Sequence, residues 1–246
     1  MTEFPRRTGP SLKPRVVSPA GIRFENVEKR FGGLYALRRV SLDVSPGECV
    51  VLAGRNGSGK TTLLRIAARL VRPTSGDVSY SDGGNGDNAS YRLQPGFVAH
   101  ATMVYDELTA EENLLLFARL QGVDRPKDRV AVLLAEVSLT ERRNSLVRTF
   151  SRGMRQRVAI ARALVSEPSL LLLDEPATGL DSRGISWLAE TLRGMRDAGC
   201  TLLMSLHGES EISALATRGI KLDAGSVVGD TNAGASMSTV LAGAGE

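Results

Sequence analysis

Lys60 and Thr61 end the run Gly54-Arg55-Asn56-Gly57-Ser58-Gly59-Lys60-Thr61. Its spacing is G-x-x-x-x-G-K-[ST], in which glycines let backbone N–H groups wrap a phosphate. A lysine at this place reaches the outer phosphates of a bound nucleotide, and the hydroxyl of the next residue ligates Mg²⁺. Thr62 continues into a helix-spaced stretch, whose N-terminus adds positive potential under the same phosphates. The chemistry on offer is polyphosphate binding. A glycine-rich turn followed by a chance lysine would not place all eight positions in this pattern.

Two acids stand at the end of a second apolar run, Leu170-Leu171-Leu172-Leu173-Asp174-Glu175. Asp174 can hold Mg²⁺ through a water, and Glu175 can orient and polarise an attacking water. Two carboxylates at a strand end are common, so this reading leans on the phosphate loop. A third stretch, Phe150-Ser151-Arg152-Gly153-Met154-Arg155-Gln156-Arg157, sits just ahead of a helix. Ser151 is a good N-cap, and the amides behind it face an anion. By itself it would be read as a cap and nothing more.

These residues need elements that present them. Residues 48–53 and 170–173 are short apolar runs that read as buried parallel strands, which deliver their C-terminal residues to the edge where α/β sheets bind ligands. Residues 62–70, 151–165 and 182–198 have helical spacing, and 201–205 reads as another buried strand. Nearer the start, 21–29 alternates as a strand does, 31–37 reads as a turn and 40–44 as a second strand. Short strands are expected at 78–80 and 96–99, with a Gly/Asn/Asp-rich loop over 81–90. Helices are expected between 109 and 146, a short helix over 209–216, and a hairpin at Gly225.

Composition narrows the class. The 246 residues suit one large α/β domain, and with 4% aromatics the core must be aliphatic. Of the formal charge of +4, the first twenty residues carry +3, from Arg6, Arg7, Lys13 and Arg15 against Glu3. The body is nearly neutral, so charge gives no reason to expect direct nucleic-acid binding. Cys49 and Cys200 lie far apart in apolar runs and read as reduced core residues. No apolar run reaches the roughly 18–20 residues of a membrane span, and no signal-peptide core is visible. The chain reads as soluble and cytoplasmic, with any membrane role peripheral.

Together with Val158-Ala159-Ile160-Ala161-Arg162-Ala163-Leu164, Asp174-Glu175-Pro176-Ala177-Thr178-Gly179-Leu180-Asp181 and Ser205-Leu206-His207, these stretches stand in an order that resembles the ATP-binding cassette (ABC) family over about residues 21–230. The resemblance implies an α/β fold: a P-loop NTPase core with a mixed sheet, an N-terminal antiparallel β subdomain and a helical subdomain inserted at about 100–150. Residues 1–20 would be a disordered basic arm and 231–246 a flexible tail. ATP and Mg²⁺ are the implied cofactors. Phe31 matches the aromatic that stacks on adenine, and Asp181 the acid at the dimer seam. His207 matches the switch histidine at the γ-phosphate, making it with Glu175 the expected catalytic pair.

The chain departs from the family pattern in two places. Arg152 and Met154 replace the first glycine and the glutamine of the signature, whereas Ser151 and Gly153 remain. His100 occupies the slot of a metal-contacting glutamine; because Mg²⁺ prefers oxygen ligands, an imidazole there is not expected to bind the metal directly. The implied partners are integral-membrane permease subunits and a second ATP-binding subunit, forming a homodimer at the cytoplasmic face of the membrane. Residues 99–109 and 150–154 are similar to haem-export (cytochrome c biogenesis) ATPases, the type favoured here. Type-2 drug or polysaccharide exporters, or a soluble ABC switch acting on nucleic acid or ribosomes, are the alternatives.

Overall fold

A computed structural model describes residues 19–81, 94–206, 210–234 and 237–241. Its centre is a six-stranded sheet in the order β5-β6-β7-β3-β8-β9. The strands are β3 (Cys49–Ala53), β5 (Gly96–Val98), β6 (Leu170–Asp174), β7 (Thr201–Ser205), β8 (Arg218–Asp223) and β9 (Ser226–Asp230). All neighbours run parallel except β9, which returns antiparallel after the turn at Ala224-Gly225. A second sheet, order β2-β1-β4, is antiparallel and built from β1 (Gly21–Phe31), β2 (Leu34–Val44) and β4 (Ser75–Ser81).

The short strands β3, β6 and β7 are buried along their whole length. Successive side chains of a strand point to opposite faces, so each run feeds two cores. Val50, Leu52, Leu170, Leu172 and Leu203 face a core shared with the antiparallel sheet and with Leu63, Leu64 and Ile66 of α1 (Lys60–Ala67). Cys49, Val51, Leu171, Leu173, Leu202 and Met204 face the other. That second core is closed by α2 (Ala110–Leu120), α3 (Pro126–Glu136), α4 (Arg152–Ala163) and α5 (Ser182–Asp197). Each fully buried Leu contributes about 1.5–3 kcal/mol, so the aliphatic runs carry most of both cores, with Phe24 and Phe97 added on one side and Phe150 on the other. Both cysteines are buried and unpaired, and burial pushes each thiol up to about 12.

Helix starts follow local chemistry. Thr109 accepts from Glu112 N at 3.1 Å, while Glu112 Oε2 accepts from Thr109 N at 2.8 Å, a reciprocal cap on α2. Pro126 occupies the first turn of α3, where a missing N–H costs nothing.

Several expectations need correction. The turn expected over 31–37 is only Gly32-Gly33: Phe31 pairs with Leu34 and Arg30 with Tyr35, so both strands run longer than their apolar alternation. Gly32, at φ 57, permits the tight two-residue turn. The strand expected at 78–80 extends over Ser75–Ser81, held by backbone pairing to β1. In place of a helix over 209–216, the described part holds a single 3-10 turn, Ser213–Leu215, where Ser210 and Ser213 side chains bond the backbone instead. Beyond Asp230 a 3-10 turn (Thr231–Ala233) and α6 (Met237–Leu241) follow, and Val240 is buried. The expected loop over 81–90 and the basic arm fall almost wholly outside the described residues.

Candidate functional site

The site begins where β3 ends. Gly54 to Gly59 loop over to α1, and Gly59, at φ 110, occupies the N-cap position. A Cβ there would lie 2.7 Å from Ala36 O and 2.8 Å from Leu37 Cδ2, so β2 packs too closely for any other residue. Arg55, Asn56 and Gly57 are exposed and Ser58 is buried. Lys60 Nζ donates to Gly54 O at 2.5 Å and Arg55 O at 3.0 Å, laying the ammonium across the loop. Burial pushes the Lys60 ammonium below its ordinary value, and the charges of Glu175 and Asp174 oppose that shift. Thr62, half-buried, follows in the first turn of the helix.

Opposite the loop stand the ends of β6 and β7. Asp174 is 1% exposed. Its Oδ1 accepts from Thr61 Oγ1 at 3.1 Å and from Ser205 Oγ at 2.7 Å. Its Oδ2 is buried and has no hydrogen-bond partner among the described residues. Leaving a buried carboxylate oxygen unpaired is costly, and a hard divalent cation or its water would satisfy it. An all-oxygen set of Thr61 and Asp174 fits Mg²⁺. Among the described residues no group of three His, Cys, Asp or Glu side chains could hold a metal alone, so further ligands would come from phosphates and water.

Glu175 follows with a left-handed backbone, φ 51. Its N–H donates to Ser205 O at 3.2 Å and to Ser205 Oγ at 3.1 Å. His100, just past β5, brings Nδ1 to 3.2 Å from Glu175 Oε2. The two acids thus have different surroundings: one sealed against hydroxyls, the other beside an exposed imidazole. Ser205 is a site residue that the motifs do not single out. Its signal is a hydroxyl closing the apolar run Leu202 to Met204, in register with Asp174.

Ser151 caps α4, its Oγ accepting from Met154 N at 3.3 Å. A Cβ on Gly153 would meet Gly179 O at 2.8 Å, so only glycine lets α4 approach the 175–181 loop this closely. Asp181 caps α5, its Oδ1 accepting from Gly184 N at 2.9 Å with Arg157 Nη2 at 3.7 Å. These residues, with Arg152, line a cleft of about 830 Å³. Burial lowers the Arg157 guanidinium below its usual value. Two helix N-termini and the arginines make the cleft suit an anion. Phe31 is 54% exposed at the β1–β2 hairpin, with Lys29 Nζ 5.0 Å from its ring centroid. His207 lies outside the described residues.

A family model described as ABC transporter matches residues 37–178, more than half of the chain. This chain belongs to the ABC transporter family. ABC transporter ATP-binding protein NatA of Bacillus subtilis (strain 168) is 38% identical over 203 residues, 78% of this chain and 80% of that protein. Daunorubicin resistance ATP-binding protein DrrA3 of Streptomyces coeruleorubidus is 35% identical over 221 residues, 88% and 70% of the two chains. Nod factor export ATP-binding protein I of Burkholderia orbicola (strain AU 1054) is 37% identical over 205 residues, 82% and 67%. A dimeric, post-hydrolysis structure of the ATP-binding cassette MJ0796 bound to ADP and Pi superposes with a TM-score of 0.76 at 30% identity, covering 85% of this chain and 97% of that one. As an ABC cassette the chain binds ATP and is an ATPase. Its fold is the ABC fold, a mixed sheet with an antiparallel β part and a helical part.

Proposed function

We propose that this ABC ATPase powers a drug-, antibiotic- or Nod-factor-type exporter through separate membrane permease subunits. The exporter type rests on the relatives named above, a drug-resistance protein and a Nod factor exporter among them. The haem-export type draws no support from those names and gives way to this alternative. No helix among the described residues is long and apolar enough to cross a membrane. Attachment to the cytoplasmic face would therefore be peripheral, through the permease.

The observation that carries the chemistry is the unpaired, buried Asp174 Oδ2 beside Thr61, opposite the Lys60 loop. Thr61 and Asp174 would hold Mg²⁺, which would offset the charge of the β- and γ-phosphates. Loop amides and Lys60 bind the phosphates, and Lys60 must leave Gly54 O and Arg55 O to do so. Glu175 orients the attacking water and accepts its proton. Phe31 stacks on adenine, and His207 contacts the γ-phosphate.

The cleft at Ser151 and Gly153 lies on a different element from Lys60. We read it as the cover for a nucleotide held by a second copy, head to tail. Mixing Lys60→Ala with Ser151→Arg protein tests this. Each alone should be nearly inactive, because a charge-assisted phosphate contact is worth about 1.5–3 kcal/mol. A mixed dimer pairs one intact loop with one intact cover and should regain a fraction of turnover. Folded mixed dimers without recovery would refute the shared site. Affinity purification from membranes should bring down a permease; ribosomes in its place would overturn the transport reading in favour of a soluble switch.

A further inference from the structure

The helix α4 buries two polar side chains, Gln156 and Arg162, and both reach backbone carbonyls that flank the catalytic residues. Gln156 is 3% exposed, and its Nε2 donates to Pro176 O at 2.9 Å, one residue beyond Glu175. Arg162 is 7% exposed. Its Nη2 donates to Phe97 O at 2.7 Å and its Nη1 to Met103 O at 2.6 Å. Those two carbonyls bracket residues 98–102, and His100 stands in the middle.

A buried guanidinium is costly unless it is paired. Among the described residues no carboxylate pairs with Arg162: its neighbours include the two carbonyls, Tyr105 and the Phe117 ring, whose centroid lies 5.2 Å from Cζ. Burial lowers it to about 10. A neutral side chain would fill the space at less cost. What the planar fork adds is a fixed span between two donors, which sets the width of the loop it closes. Met103, held at one end, has a left-handed backbone at φ 50, a conformation that needs outside support.

We propose that Arg162 is a positioning residue for hydrolysis. It closes the 97–103 loop so that His100 rests against Glu175, 3.2 Å away, while Gln156 holds the other side of that pair. α4 begins at Ser151, in the cleft, so one rigid helix joins the cover for the neighbouring nucleotide to the aim of the water-orienting carboxylate. This rests on the reading of Glu175 given above.

The test is a double-mutant cycle on the full chain with Mg²⁺ and ATP. Arg162→Lys keeps the charge and loses the span. Displacing a catalytic group slightly costs up to about 10²-fold, so kcat should fall about tenfold or more. KM should stay within about twofold, because Arg162 sits at the end of α4 away from Ser151 and Lys60 belongs to α1. His100→Ala should give a similar loss, and the double variant should be no slower than the slower single one. Amide exchange over residues 98–102 should rise in Arg162→Lys while that of α1 stays unchanged. Gln156→Met should lower kcat in the same direction. Additive losses, a KM effect equal to the kcat effect, or no effect of His100→Ala would overturn the proposal. So would failure of both Arg162→Lys and Gln156→Met to fold, since α4 would then carry the fold and not the aim. Glu175→Gln separates the two levels: full turnover there sinks the reading of Glu175 itself, whereas an inactive Glu175→Gln beside additive Arg162 and His100 losses sinks only the α4 link.

Discussion

Replacing Glu175 by glutamine preserves the shape of the side chain and removes its charge. Its backbone is held by two hydrogen bonds from its N–H to Ser205, and an amide oxygen can still accept from His100, so the geometry should persist. Lost is the carboxylate that takes the proton of the attacking water. A positioned general base is worth 10²–10⁴-fold, or about 2.7–5.4 kcal/mol of barrier at about 1.36 kcal/mol per factor of ten. Nucleotide binding should change little. Of the two carboxylates that oppose the effect of burial on the Lys60 charge, Glu175 is lost and Asp174 remains, while the loop amides and the contacts around Thr61 are untouched. We therefore expect kcat to drop at least about 10²-fold while the Kd for ATP stays within about threefold, a change under 1 kcal/mol. Phosphate release measures the first and a fluorescent ATP analogue the second. Turnover within about tenfold of wild type, with binding intact, would show that the water is handled elsewhere.

Three other outcomes follow from particular contacts. His100→Gln exchanges one hydrogen-bond partner of Glu175 for another, about 1 kcal/mol, so steady-state turnover should fall by less than about tenfold; loss of Mg²⁺ binding, read by titration, would instead make the imidazole a metal ligand. Leu172→Ala removes a fully buried side chain from the central sheet and should cost about 2–5 kcal/mol in urea unfolding; a cost under about 1 kcal/mol would mean the core can collapse around the gap. The Arg218 guanidinium, donating at 2.8 and 2.6 Å, holds the Asp230 carboxyl below the usual carboxylate range. That stability is fully present above the ordinary value of about 3.9 and is lost as pH falls through the lowered folded one. Stability against pH should therefore be flatter at its acid end in Asp230→Asn, and parallel acid limbs in the two proteins would contradict the pairing.

Much of the centre was legible because buried parallel strands are written as unbroken aliphatic runs. Leu170 to Leu173, bounded by Pro168 and by two acids, admits few other readings, and Thr201 to Ser205 was read to its observed limits. The antiparallel sheet was legible only in part. Lys29 to Phe31 and Leu34 to Tyr35 are exposed or half-buried and show no apolar alternation. Their strand character comes from cross-strand pairing, with the Arg30 guanidinium of β1 4.4 Å from the centroid of the Tyr35 ring on β2. Such a contact involves two strands at once and leaves no period in either. Gln156 and Arg162 stand in stretches that the family resemblance covers, but Gln156 is flanked by Arg155 and Arg157 and nothing in the pattern separates the buried polar side chains from the exposed ones. What they bond, carbonyls at residues 97, 103 and 176, is invisible before the chain folds, because a carbonyl belongs to every residue type.

The assembly of the site follows from register. Gly54, His100, Glu175 and Leu206 are distant in sequence, yet each comes within two residues of the end of a short apolar strand. Because β5, β6, β7 and β3 are adjacent and parallel, those four ends meet at one edge. Asp174 pairs with Ser205, and Ser205 with Leu52 ahead of the phosphate loop. A one-residue slip of β6 would take Asp174 away from Ser205 and Thr61. The same slip would exchange Leu171 and Leu173 with Leu170 and Leu172 between the two cores, which are closed by differently shaped partners, helices on one side and a β-sheet with α1 on the other. The packing that stabilises the sheet therefore also selects the register in which the metal-binding carboxylate, its serine and the phosphate loop come together. For that reason a mutation such as Leu172→Ala, remote from any ligand, should lower turnover in whatever fraction of the protein still folds only if it loosens this register; unchanged kcat per folded molecule would show that the Thr61–Asp174–Ser205 contacts hold it by themselves.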